Sequence, residues 1–130
     1  MTAEPKKTYP ELKAMAEQFL KDHRLGVLAT ARASGMPQQS IIAYRFDGSE
    51  VAISTGSDTA KVKNLRRRPS VSIAVTDGPT CVVVSGQARL LDGAEAEAYL
   101  GEPAGSGRQT GTPTLIVFAA ESYRWARLEG

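Results

Sequence analysis

Short runs of alternating apolar and polar residues, each closed by a tight-turn signal and none separated from the next by a long crossover helix, leave this chain few folds. Val71, Ile73 and Val75 alternate with Ser72, Ala74 and Thr76, so one face of that segment is buried. Asp77-Gly78-Pro79 turns the chain into a long apolar strand, Thr80 to Leu91, in which Gly86 and Gln87 mark a bulge or bend. Earlier, Leu25 to Arg32 reads as a strand and Ser34-Gly35 as a turn. Gln38 to Phe46 and Val51 to Thr55 flank Asp47-Gly48-Ser49, the favoured Asp-Gly form of a hairpin turn. Thr114 to Ala119 is the last strand, and Tyr123 to Leu128 alternates again and continues it. About six strands with a few short helices make the fold class mainly β, an antiparallel Greek-key barrel; a doubly wound parallel sheet would alternate its strands with helices.

The helices read from period and caps. Thr8 caps a helix start, Glu11 stands three residues on as in a capping box, and Pro10 is tolerated in the first turn. Leu12, Met15, Ala16, Phe19 and Leu20 then form one buried face, ending near His23 or Arg24. Ala94 to Leu100 is a second short helix. Gly101 to Pro113, rich in Gly, Pro, Ser and Thr without periodicity, reads as a mobile loop.

Composition removes several function classes. The 130 residues suit one domain, 1–130. A formal net charge of +2 is too small for a general nucleic-acid coat. Cys81 and His23 are the only residues of their kinds, which argues against a disulfide or a zinc site and for a reducing, cytoplasmic setting. No apolar run approaches a bilayer span, and the N-terminal Met-Thr-Ala-Glu-Pro-Lys-Lys lacks the apolar core of a signal peptide.

The chemistry concentrates between Ser54 and Pro69. A strand end (Ser54, Thr55) passes through a small-residue turn into a helical segment carrying Lys61, Lys63, Arg66, Arg67 and Arg68, which Pro69 stops. Hydroxyls, a helix N-terminus and a lysine in the first turn suit a phosphate. The plainer reading is a solvated basic helix face; Arg67 and Arg68 are expected to stay in solvent. Gln38 and Ser40 read equally well as a polar outer strand face, His23 as a helix-end residue favourable to the dipole, and Cys81 as a small core residue.

Three pieces, L-G-V-L-A-T (25–30), G-M-P-Q-Q-S-I-I-A-Y-R-F-D (35–47) and A-K-V-K-N-L-R-R-R-P-S-V-S-I-A-V (60–75), resemble in order and spacing the split-barrel flavin and deazaflavin oxidoreductases, the superfamily of pyridoxamine 5'-phosphate oxidase. The element around Asn64-Leu65-Arg66 is most similar to the actinobacterial branch that uses the deazaflavin coenzyme F420. The resemblance implies an FMN-binding-type split β-barrel, a homodimer, and a cofactor at the subunit interface. It implies that Lys61 binds the cofactor phosphate. Relatives often carry a basic residue two positions earlier, where Thr59 stands here and offers a hydroxyl without charge. Ser54 and Thr55 correspond to the strand end before the turn. Pro37, Gln38 and Ser40 are placed along the flavin or deazaflavin ring, and Ile41 stands where some relatives have asparagine. Lys63 and Arg66 are candidates for the acidic tail of coenzyme F420.

The residues offer no cluster of acids and bases, no metal set and no nucleophile, so catalytic residues stay unassigned and the hard chemistry falls to a cofactor. The resemblance therefore implies an F420-dependent reductase acting on a small or medium electron-poor substrate. The alternatives are an FMN-dependent oxidase or reductase, or a non-catalytic carrier or sensor of either cofactor. Neither a nucleic acid nor a membrane is an expected partner.

Overall fold

In a computed structural model, described here for residues 7–102 and 111–128, the elements run α1 (Tyr9–Asp22), β1 (Leu25–Ala31), β2 (Pro37–Ala43), β3 (Arg45–Phe46), β4 (Glu50–Gly56), α2 (Ala60–Arg67), β5 (Ser70–Asp77), β6 (Thr80–Asp92), α3 (Ala94–Leu100), β7 (Pro113–Ala119) and β8 (Ser122–Arg127). All pairings are antiparallel, in the order β2-β1-β5-β6-β7-β4-β3, with β8 also against β6. Three consecutive strands, β5, β6 and β7, lie side by side and β4 returns beside β7, which is a Greek key. The two ends of this path, β2 and β3, are joined by Tyr44 alone. One intervening residue holds the two ends of the sheet within about 7 Å of each other, because neighbouring Cα atoms are 3.8 Å apart. The sheet must therefore curl into a barrel that stays split between β2 and β4.

Two strands read as continuous in the sequence are each broken once. Tyr44 ends the second strand because its side chain turns inward: it is buried, and its hydroxyl donates to the Leu20 carbonyl at 2.7 Å. The final strand breaks at Ala120 and Glu121. Ser122 pairs with Ser85 and Phe118 with Ala88, so three residues of the β7–β8 run oppose only Gly86 and Gln87. The irregularity expected at Gly86 is thus a bend in β6 facing a bulge on its partner. A Cβ on Gly86 would lie 2.3 Å from the Ala119 carbonyl oxygen, so only glycine allows that approach.

The barrel core joins Leu28, Ile42, Ile53, Ile73, Val84 and Phe118 to Ala16 and Leu20 of α1 and Val62 and Leu65 of α2. A smaller cluster, Ala52, Ala96, Leu115 and Val117, packs α3 on the other face of β4 and β7. That is why Leu115 to Phe118 is apolar at every position: both faces are covered. The capping box at Thr8 and Glu11 is present, and α1 runs to Asp22 with His23 as its cap. The loop expected over Gly101 to Pro113 falls mostly on residues 103–110, outside the described residues. Among the described residues no helix is long and apolar enough to cross a membrane.

Candidate functional site

A groove of about 780 Å³ follows the split in the barrel. One end is built by the β4–α2 connection. Gly56 to Thr59 turns sharply, and Thr59 caps α2: its hydroxyl accepts from the Val62 N–H at 3.4 Å and donates to the Gly56 carbonyl at 2.9 Å. This satisfies one of the four N–H groups that a helix start leaves over. The turn is held from outside by Ser57, whose N–H donates to the Thr112 carbonyl and whose hydroxyl accepts from the Thr112 N–H, both at 2.9 Å.

This end is where Ser54, Thr55 and Lys61 come together on the groove wall. Ser54 is exposed; Thr55 is buried, its hydroxyl 3.5 Å from that of Thr59. Lys61, on the first turn of α2, is half-buried and has no ion pair or hydrogen bond among the described residues. Burial lowers its pKa from the usual lysine value. An ammonium held partly out of water without a counter-charge is costly, and an anion in the groove would remove that cost.

Of the other positions that the resemblance singled out, Thr59, Pro37, Gln38, Ser40, Lys63 and Arg66 lie off this groove, while Ile41 lines it. Thr59 spends its hydroxyl on the cap. Pro37, Gln38 and Ser40 lie on β2, with Gln38 and Ser40 on the half-buried face they share with Ile42 rather than on a polar outer face. The exposed face of that strand carries Ile41, which is 82% exposed. Lys63 is exposed, and Arg66 stands 3.8 Å from Asp92.

The sequence reading passed over Asn64 except as part of a motif. It is buried and ties α2 to two strands: its amide donates to Thr30 Oγ1 at 3.1 Å and to Gln38 Oε1 at 2.6 Å. Its oxygen accepts from Arg67 at 2.8 Å, so Arg67 is anchored rather than simply solvated. An amide in the middle of a basic helix, between the apolar Val62 and Leu65, was the available signal. Lys21, Arg24 and Arg45 were also missed, and His23 was read only as a helix-end residue; all four line the groove, from the end of α1, the α1–β1 connection and β3. The Arg24 carbonyl accepts the Tyr44 N–H at 2.9 Å, which sets that wall. Burial pushes the Tyr44 phenol up to about 12. Both ring nitrogens of His23 are engaged, one at 2.7 Å from the Phe19 carbonyl and the other at 3.1 Å from Asp77. Among the described residues no group of His, Cys, Asp or Glu side chains could hold a metal ion.

The sequence model of the family described as pyridoxamine 5'-phosphate oxidase matches residues 12–124, nearly the whole barrel. The chain belongs to that family. Solved structures agree in fold. A protein named F420 reductase is 21% identical with a TM-score of 0.69, over 83% of this chain and 94% of its own. General Stress Protein 26 from Bacillus anthracis is 16% identical with a TM-score of 0.70, over 92% of this chain and 96% of its own. A heme binding protein from Mycobacterium smegmatis is 19% identical with a TM-score of 0.72, over 99% of this chain and 57% of its own. Neighbours this distant share the family's split barrel but carry different names, so the fold alone does not select a ligand. The pyridoxamine 5'-phosphate oxidase family is one of flavin-binding oxidoreductases.

Proposed function

We propose that the protein is an F420-dependent reductase whose coenzyme lies in the barrel-split groove. The observation that carries this reading is Lys61, a half-buried cation without a counter-charge among the described residues, beside the Ser54 hydroxyl and the start of α2. These groups fit a phosphate. Lys21, at the end of α1 with its ammonium beside Gly48 in the β3–β4 turn, the opposite end of β4 from Thr55, and Arg24 just beyond α1 supply two further cations. Two separated cationic positions suit a ligand with two separated anionic groups. Coenzyme F420 has a phosphodiester and an acidic tail; FMN has a single phosphate. On this reading Lys21 and Arg24 meet the tail, and Lys63 and Arg66, first considered for it, lie off the groove. Bound and reduced, the deazaflavin supplies a hydride from C5 to an electron-poor acceptor, and solvent supplies the proton.

The proposal includes a homodimer. The outward face of the sheet carries Ile41, Val27, Ala74 and Val83 in register across four strands, and below them Gln39, Ala29, Ser72, Ser85 and Ser122. No charged residue stands in these two rows until Arg124 opposite Val83. A face of this kind suits burial against a second copy, in a reducing cytoplasm where Cys81 stays a thiol.

The test is a side-by-side fluorescence titration with coenzyme F420 and FMN, followed by turnover of the reduced coenzyme with quinones and activated alkenes. Tight binding of F420 with oxidation by an acceptor is expected. Preference for FMN would move the protein to the flavin-dependent reading, and F420 binding without any acceptor to a carrier. A monomeric mass by light scattering would remove the dimer.

A further inference from the structure

A second recess adjoins the groove and shares Arg45, Ala52 and Leu100 with it. It holds about 310 Å³ and is completed by Asp47, Glu50 and Tyr99. Its two carboxylates are each held by partners within the fold. Glu50 accepts from Arg89 at 2.7 and 3.3 Å and from the Tyr99 hydroxyl at 2.9 Å. Arg89 above all holds the Glu50 carboxyl below the usual carboxylate range. Asp47 accepts the N–H groups of Ser49 at 2.8 Å and Glu50 at 2.7 Å inside the hairpin turn.

Arg45 is different. Its backbone is fixed, because it pairs with Ala52 across the β3–β4 ladder and follows the buried Tyr44. Its guanidinium is paired with the carboxylate of Glu102, just beyond the left-handed cap Gly101 of α3, and the two side chains are 64% and 51% exposed. A pair this open favours its closed form by no more than about fivefold. The residue is thus anchored at its base and exchangeable at its tip. Around it, Ala52, Leu100 and the Tyr99 ring give the recess apolar surface.

We propose that Arg45 is the specificity residue of the site: it selects an acceptor bearing its own carboxylate, and Glu102 occupies Arg45 until that acceptor displaces it. The apolar body of the acceptor packs on Ala52, Leu100 and Tyr99. Its carboxylate takes the bidentate fork of the guanidinium, a geometry that a lysine cannot offer. Because Arg45 borders both recess and groove, an acceptor held there lies beside whatever fills the groove. Calling the occupant an acceptor rests on the proposed reading of the groove; the anion selectivity does not.

The test therefore needs no coenzyme. The probes are 9-anthracenecarboxylate and 9-anthracenecarboxamide, which share one ring system and differ in charge, titrated by fluorescence against the full chain. Wild type is expected to prefer the carboxylate. Glu102→Gln should widen that preference about twofold to fivefold by removing the internal competitor. Arg45→Gln should abolish it, and Glu102→Gln should have no effect in the Arg45→Gln background. Arg45→Lys, which keeps the charge without the fork, should retain part of it, and equal melting temperatures exclude a folding defect. Equal binding of the two probes by wild type would overturn the proposal. So would an effect of Glu102→Gln that is the same for both probes or that persists without Arg45. F420 binding is measured on the same samples, so failure of the coenzyme reading is visible separately.

Discussion

Replacing Lys61 by methionine should move stability and binding in opposite directions. Methionine keeps the apolar stem that packs at the start of α2 and removes the ammonium. Without ligand, that ammonium is half-buried and uncompensated among the described residues, and its pKa is lowered by burial. Below its usual value of 10.5 the unfolded chain then holds the proton more firmly than the folded one, so stability rises with pH through that window. Below the lowered folded-state value the cost is fully present. The ligand-free Lys61→Met protein should therefore melt at or above the wild-type temperature. Binding should fall, because the phosphate loses its one charged partner while keeping the Ser54 hydroxyl and the helix N-terminus. A hydrogen bond to a charged group contributes about 1.5–3 kcal/mol, which is roughly a ten- to hundred-fold loss of F420 affinity. The assay is thermal unfolding without ligand together with a fluorescence titration of F420 on the same preparation. A variant that binds F420 as wild type does but melts lower would refute the argument. Lys61 would then be a snorkelling side chain that serves packing alone.

Three further outcomes follow from the same geometry. Asn64→Ala removes two donated bonds and one accepted bond and strands the buried Thr30 hydroxyl, for a loss of about 2–4 kcal/mol, or roughly 7–15 °C in Tm by thermal unfolding. Gly86→Ala drives a methyl group into the Ala119 carbonyl and should cost about 3 kcal/mol by urea titration; a stability within about 0.5 kcal/mol of wild type would remove the close-approach account of the bend. His23 has a raised pKa, chiefly through its bond to the Phe19 carbonyl and then through Asp77. Its stabilisation is thus full below the unfolded value of 6.5 and lost as pH rises through the folded value, so the Tm gap between wild type and His23→Gln should be widest in acid and close in alkali.

The fold was legible where one-sided burial writes a period into the chain. Val71, Ile73 and Val75 alternate because β5 buries one face, and Leu12 to Leu20 repeats because α1 does. The breaks were not legible, because each depends on a distant partner. Nothing local to Tyr44 announces that its hydroxyl will find the Leu20 carbonyl, or that the bulge forced by Gly86 will fall thirty-odd residues later in the chain, at Ala120 and Glu121.

The candidate site divides along the same line. Ser54, Thr55 and Lys61 could be read as a group because one strand–turn–helix connection carries all three, and local geometry alone brings them together. Lys21 lies on α1, Arg24 just beyond it and Arg45 on β3, and only closure of the sheet through Tyr44 carries them to the same groove. On the proposed reading a local motif announces the phosphate end of the ligand, while its other groups fall to residues that the barrel gathers. This is why Lys63 and Arg66, neighbours of Lys61 in the chain, were the natural first candidates for an acidic tail. On a helix, residues two and five positions on from Lys61 are turned by about 200° and 140° away from it, so the face that presents Lys61 to the groove turns both of them from it.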